Sequence, residues 1–121
     1  MSPQVDSTRD YQLWEYHVSH GQALIRSPKT ETRPTNVDIL VFGVQYLAIP
    51  RHLKGPELVP PTEGERRHLS ELLNREVSDA EIFVLRSGRQ RHLIVAARLI
   101  VRDSTMDIFE SPFEGSQAVD Q

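Results

Sequence analysis

A chain of 121 residues with 38% apolar and 26% charged residues has the composition of one ordinary globular domain, large enough for a single core without staples. Its mean hydropathy of −0.43 and net charge of −3 argue against bulk nucleic-acid binding, which draws on a basic excess. The absence of cysteine excludes disulfides, thiolate metal centres and a cysteine nucleophile, and fits a reducing, cytoplasmic setting.

Residues 1–10, MSPQVDSTRD, are polar and read as a flexible lead-in, with no apolar run of the signal-peptide kind. Tyr11 to Pro28 reads as a hairpin turning at Ser19-His20-Gly21-Gln22. The register this turn sets opposes Tyr16 to Ile25 and Trp14 to Ser27 on one face. On the other face it opposes His17 to Leu24 and Glu15 to Arg26, a cross-strand ion pair. Ser27 to Asn36 is polar and punctuated by proline, hence a loop.

The segment from Asn36 to Ile49 is apolar at both parities. Val37, Ile39, Val41, Leu47 and Ile49 alternate with Leu40, Phe42, Val44, Tyr46 and Ala48. Its β-branched and aromatic content predicts one long strand that needs cover on both faces. It carries Asp38 and Gln45 and is too short for a membrane span. Pro50 to Pro61 holds four of the eight prolines and reads as a second loop. Leu53, Leu58 and Val59 within it are candidates to meet either the core or a partner.

Thr62-Glu63-Gly64-Glu65 is a capping box opening a helix of about four turns, with Leu69, Leu72, Leu73 and Val77 at helical spacing. Glu63, Arg67, Glu71 and Asn74 fall on the opposite, solvent-facing side. Ala80 to Asp103 reads as a second hairpin turning at Ser87-Gly88-Arg89-Gln90. That turn opposes Val84 to Leu93, Phe83 to Ile94, Ile82 to Val95 and Arg86 to Arg91. Its second arm, Leu93 to Val101, is apolar enough to lie inside a sheet. Met106 to Phe109 is a candidate edge strand, and residues 115–121 are expected to be flexible.

These elements, in the order βββαββ, predict a single α+β domain over residues 11–114. Its architecture is an antiparallel sheet of about five strands, flat or curled into a half-barrel, with one amphipathic helix. Two strands are apolar on both faces and one helix serves them. That mismatch predicts cover from a second copy of the chain or from another protein.

Site signals are sparse. Arg86, Arg89, Arg91, Arg98 and Arg102 form a basic run with no acid between them, and Asp103 to Gln121 holds five acids and no base. Arg86 and Arg91, directly opposed, need an anion or an acidic group between them. An anion or nucleic-acid site at Arg86, Arg89 and Arg91 therefore competes with simple pairing to the acidic tail. Base-stacking aromatics are missing from that hairpin. His17-x-x-His20 is a poor metal pair on a strand, because three residues along places the side chains on opposite faces. Glu15 with His17 is a conceivable general base in a cavity of a curled sheet, without an evident nucleophile. Trp14 and Tyr16 serve as core or as binding anchors. No hydrolase elbow, phosphate loop, zinc helix or dinucleotide fingerprint occurs. No metal, cofactor or enzymatic activity is expected. Protein–protein contact, as a homodimer, is the expected mode of action, with Leu53, Leu58 and the three hairpin arginines as candidate contacts.

Overall fold

Nine strands and one helix account for the regular structure, in a computed structural model that describes residues 4–105. The strands are β1 (Asp10–His17), β2 (Gln22–Ser27), β3 (Asn36–Phe42), β4 (Tyr46–Ala48), β5 (His52–Lys54) and β6 (Glu57–Val59). The helix α1 (Glu63–Leu73) follows, then β7 (Ile82–Ser87), β8 (Gln90–Val95) and β9 (Arg98–Ser104). One sheet has the order β5-β1-β2-β3-β9 and the other β4-β8-β7-β6. All pairings are antiparallel. The α+β class with an antiparallel sheet and one helix is as expected; the division into two open sheets is not.

The division happens inside what reads as one strand. The 36–49 segment breaks at Gly43, sending β3 into the first sheet and β4 into the second. Its partner breaks opposite, at Ala96-Ala97, between β8 and β9. Pairing runs on across the bend, with Phe42 opposite Arg98 before it and Tyr46 opposite Val95 after it. Ala97 N donates to Phe42 O at 3.0 Å and Gln45 N to Val95 O at 2.8 Å, so the ladder is folded rather than cut. Gly43 makes the bend with φ of 65°, a region costly for any residue with a Cβ.

Folding the ladder lays two apolar faces together. Tyr11, Ile25, Ile39, Val41 and Leu53 from the first sheet pack with Leu85 and Ile94 from the second. Helix α1 covers the other face of the second sheet, where Leu69 and Val77 join Ile82, Val84 and Val95. On the opposite face of the first sheet, Leu24 and Leu40 cluster with Trp14, Phe42 and Ile100. There Arg26 and Asp38 form an ion pair whose two side chains are 0% exposed. From Val37 to Val41, β3 is therefore buried at both parities, as its sequence requires.

Local chemistry accounts for most element boundaries. Thr62 Oγ1 accepts from Glu65 N at 3.1 Å while Glu65 Oε1 accepts from Thr62 N at 2.9 Å, the reciprocal capping box. The helix stops at Asn74 in the left-handed conformation, a turn short of expectation. Leu72, expected on the apolar face, is 51% exposed, while Val77 reaches the core from beyond the helix. The second hairpin has the expected register, with Ile82 opposite Val95 and Arg86 opposite Arg91. Gly88 alone of its two central residues has positive φ, as a type II′ turn requires.

The first hairpin differs in register. A 3₁₀ turn at Val18–His20 lengthens the connection, so His17 faces Gln22 and Tyr16 faces Ala23. The pairing then shifts by one residue between Leu13 and Glu15, a bulge that takes up Trp14. Glu15 thus faces Leu24 rather than Arg26, and Arg26 turns to Asp38 directly across β3. The 50–61 segment, expected as a loop, contains β5 and β6, each only three residues long. The expected edge strand at Met106 to Phe109 lies outside the described residues, as do the 115–121 terminus and most of the acidic tail.

Candidate functional site

The opposed arginines of the second hairpin each find a carboxylate on a neighbouring element. Arg86 Nη2 donates to Glu57 Oε1 at 3.0 Å, across the β6–β7 pairing. Arg91 grips Glu65 with two bonds, Nε to Oε2 at 2.8 Å and Nη2 to Oε1 at 2.9 Å, and also reaches Pro60 O. These bonds from Arg91 are the largest influence holding the Glu65 carboxyl below the usual carboxylate range. Among the described residues, the neutralising acids come from β6 and the first turn of α1. Arg89 is exposed at the turn and has no hydrogen bond or ion pair among the described residues. Arg98 and Arg102 lie on β9 in the other sheet, and the Arg98 guanidinium sits 4.8 Å from the Phe42 ring centroid. The basic run is divided between two sheets.

Leu53 and Leu58, side by side in sequence terms, part company in space. Leu53 is 1% exposed and belongs to the core, paired opposite Tyr11. Leu58 is half-buried on β6 and lines an open groove of about 300 Å³ with Val59, Pro60 and Pro61. Asp79, Ala80, Ile82 and Phe83 line it as well. β6 is the terminal strand of its sheet, so its other backbone edge has no partner strand among the described residues.

His17 Nε2 lies 3.1 Å from Glu15 Oε2, and Glu15 Oε1 is buried without a hydrogen-bond partner. Neither residue lines any of the five clefts described. Burial lowers the pKa of His92. No group of three or more His, Asp or Glu among the described residues is placed to hold a metal ion.

The largest of these clefts, about 410 Å³, lies where sequence reasoning placed only a lead-in and a loop. Val5 packs against the core, and Arg9 is 7% exposed. Arg9 Nε donates to Ser27 Oγ at 3.0 Å, and Nη2 lies within 3.3 Å of the carbonyls of Ser27, Pro28 and Thr35. Arg33 donates to Thr8 Oγ1 and to Thr8 O at the same place. Thr8 in turn hydrogen-bonds Asp6 through its hydroxyl and its N–H, which holds the Asp6 carboxyl low. Burial, with Asp6 adding to it, pushes the Tyr11 phenol up to about 12 while its hydroxyl donates to Asp6 O. A ten-residue polar stretch has no period to reveal that Arg9 enters the core, so no local signal pointed here.

Beyond α1, Arg75 Nη2 meets Glu81 Oε1 at 2.7 Å, and the Arg75 bond, then the Ser78 backbone N–H, bring Glu81 from 4.5 down to about 2. A carboxylate with a depressed folded-state pKa adds stability above its unfolded value and loses it as pH falls through the folded one. Glu81→Gln should therefore flatten the decline in urea midpoint between pH 4.5 and about 2, leaving the neutral limb parallel to wild type. An unchanged acid limb would count against the pairing.

No family model, curated protein or solved structure matches this chain.

Proposed function

We propose that this is a non-catalytic domain acting by protein–protein contact, in a cytoplasmic setting, and that it associates with a second copy through the β6 edge. The observation that carries this is the terminal position of β6 in its sheet, with Leu58 and Val59 of that strand half-buried in a mainly apolar groove that also includes Asp79. The broad strand face first expected to seek a partner is withdrawn, since Ile39, Leu40 and Val41 are 0–3% exposed. An edge remains, and edges recruit strands through unpaired N–H and C=O groups. An antiparallel β6–β6 contact centred on Leu58 sets Glu57 opposite Val59 of the second copy. No like charges then meet across it.

No helix among the described residues is long and apolar enough to cross a membrane. Anion or nucleic-acid binding by the basic hairpin is the weaker alternative, because Arg86 and Arg91 already hold carboxylates.

Size-exclusion chromatography with light scattering tests the proposal. Wild type should run as a dimer, and Leu58→Glu should raise the dimer dissociation constant at least about tenfold, since a carboxylate would be buried at the centre. A wild-type monomer at all concentrations, or a dimer indifferent to L58E, would dismiss it.

A further inference from the structure

The cleft beside Arg9 contains a buried cation with no carboxylate in ion-pair contact among the described residues, although Arg9 and Arg33 both act through space on Asp6 and help hold its carboxyl low. Arg9 is more than nine-tenths buried, yet its partners are one hydroxyl and three carbonyls. No carboxylate among the described residues pairs with it or with Arg33. Carbonyl dipoles and a carboxylate at a distance compensate a buried guanidinium less than a contacting carboxylate does.

One part of Arg9 is not used. Its Nε and Nη2 groups make the contacts above, whereas Nη1 has no acceptor among the described residues. Glu15 Oε1 is the one buried side-chain polar atom without a partner there, so Nη1 is not sealed away. It is the part of Arg9 that reaches solvent, and Arg9 lines both this cleft and the adjoining one of about 370 Å³. Arg33 stands on the wall of both. A carboxylate resting on Arg9 Nη1 would make a charge-assisted bond in partly desolvated surroundings, with Arg33 reinforcing it.

The remaining walls narrow the ligand further. Asp6 and Asp103 line the same cleft and supply negative charge for a cationic group. Val37 and Val101 supply an apolar surface beneath. Two arginines, two aspartates and two valines around about 410 Å³ match one small molecule that is anionic, cationic and aliphatic in separate parts. We propose that this cleft binds a free aliphatic α-amino acid as its zwitterion. Its carboxylate lies on Arg9 and Arg33, its ammonium faces Asp6 and Asp103, and its side chain rests on Val37 and Val101.

NMR titration of the full chain with L-leucine tests this, with 4-methylpentanoate (leucine without its ammonium) and inorganic phosphate as comparison probes. L-Leucine should give saturable shifts of the Val37 and Val101 methyls and of the Arg9 Nε–H. 4-Methylpentanoate should bind roughly tenfold or more weakly, because it offers the aspartates no ammonium, and phosphate should leave the valine methyls unmoved. Arg33→Ala and Asp103→Asn change exposed side chains, so both should keep the wild-type melting temperature while weakening leucine binding about tenfold each. No saturation with L-leucine, an equal response to phosphate, or leucine binding unchanged in both variants would each overturn the proposal.

Discussion

Asp38→Asn should lower the stability of this domain by about 3–5 kcal/mol, the usual cost of stripping one partner from a buried ion pair. Arg26 Nε and Nη2 meet Asp38 Oδ1 and Oδ2 at 2.7 and 3.0 Å, and both side chains are 0% exposed. The Arg26 guanidinium also lies 5.6 Å from the Trp14 ring centroid, which holds it in place on the sheet face. Asparagine keeps the shape but removes the charge, leaving a buried guanidinium to bear its desolvation cost. The urea midpoint should fall while the m value stays constant, since the surface exposed on unfolding is unaltered. Replacing both members with apolar residues, Arg26→Met with Asp38→Leu, should recover most of the loss, because a well-packed apolar pair avoids the desolvation of both ions. A D38N variant within about 1 kcal/mol of wild type would show that this pair matters little.

Gly43→Val should be nearly as damaging, at about 2–4 kcal/mol, through two separable effects. The first is backbone conformation, since φ of 65° is strained for a β-branched residue. The second is space, since a Cβ at residue 43 would lie 2.8 Å from Ala97 Cβ. Adding Ala97→Gly relieves the contact and leaves the strained φ, so the double variant should regain part of the loss. Gly88→Ala provides the control, because Gly88 has φ of 63° and nothing within 4 Å of its would-be Cβ. Its cost should be that of the backbone alone, about 1–2 kcal/mol. Equal losses at residues 43 and 88 would mean that close approach to Ala97 contributes nothing.

The parts of this fold that were legible in the sequence are those whose cause lies within a few residues. Thr62 and Glu65 announce the start of α1 because each satisfies the other's backbone. Gly88 sets the register of β7 on β8 because the turn type fixes which residues face each other. The double-sided apolarity of residues 36–49 forecast burial on both faces, which holds from Val37 to Val41 and not for β4. What could not be read has its cause far along the chain. The break at Gly43 depends on Ala97, and glycine within a strand pattern was passed over for want of the residue it approaches. The 3₁₀ turn at Val18–His20 moved Arg26 away from Glu15, and its true partner, Asp38, comes from the next strand.

The candidate sites divide in the same way. Leu53 and Leu58 stand close in the chain with similar polarity, and only strand pairing sends one to the core and the other to an edge. Arg86 and Arg91 were correctly placed opposite each other. Their counter-ions, Glu57 and Glu65, could not be foreseen, because β6 and the first turn of α1 had no readable position relative to that hairpin. Arg9 was invisible for a further reason: nothing in a polar stretch distinguishes an arginine bound for the interior from one bound for water.

The bent ladder that runs through both sheets also governs how the domain forms. It matches Asn36 with Ser104 at one end and Ala48 with Leu93 at the other, so β5, β6, α1 and β7 all lie within the loop it closes. Closing so wide a loop costs chain entropy before it yields contacts, which places this chain among slow folders despite its modest size. The β1–β2–β3 meander and the β7–β8 hairpin pair locally, so it is the ladder joining them that has to wait for the wide loop to close.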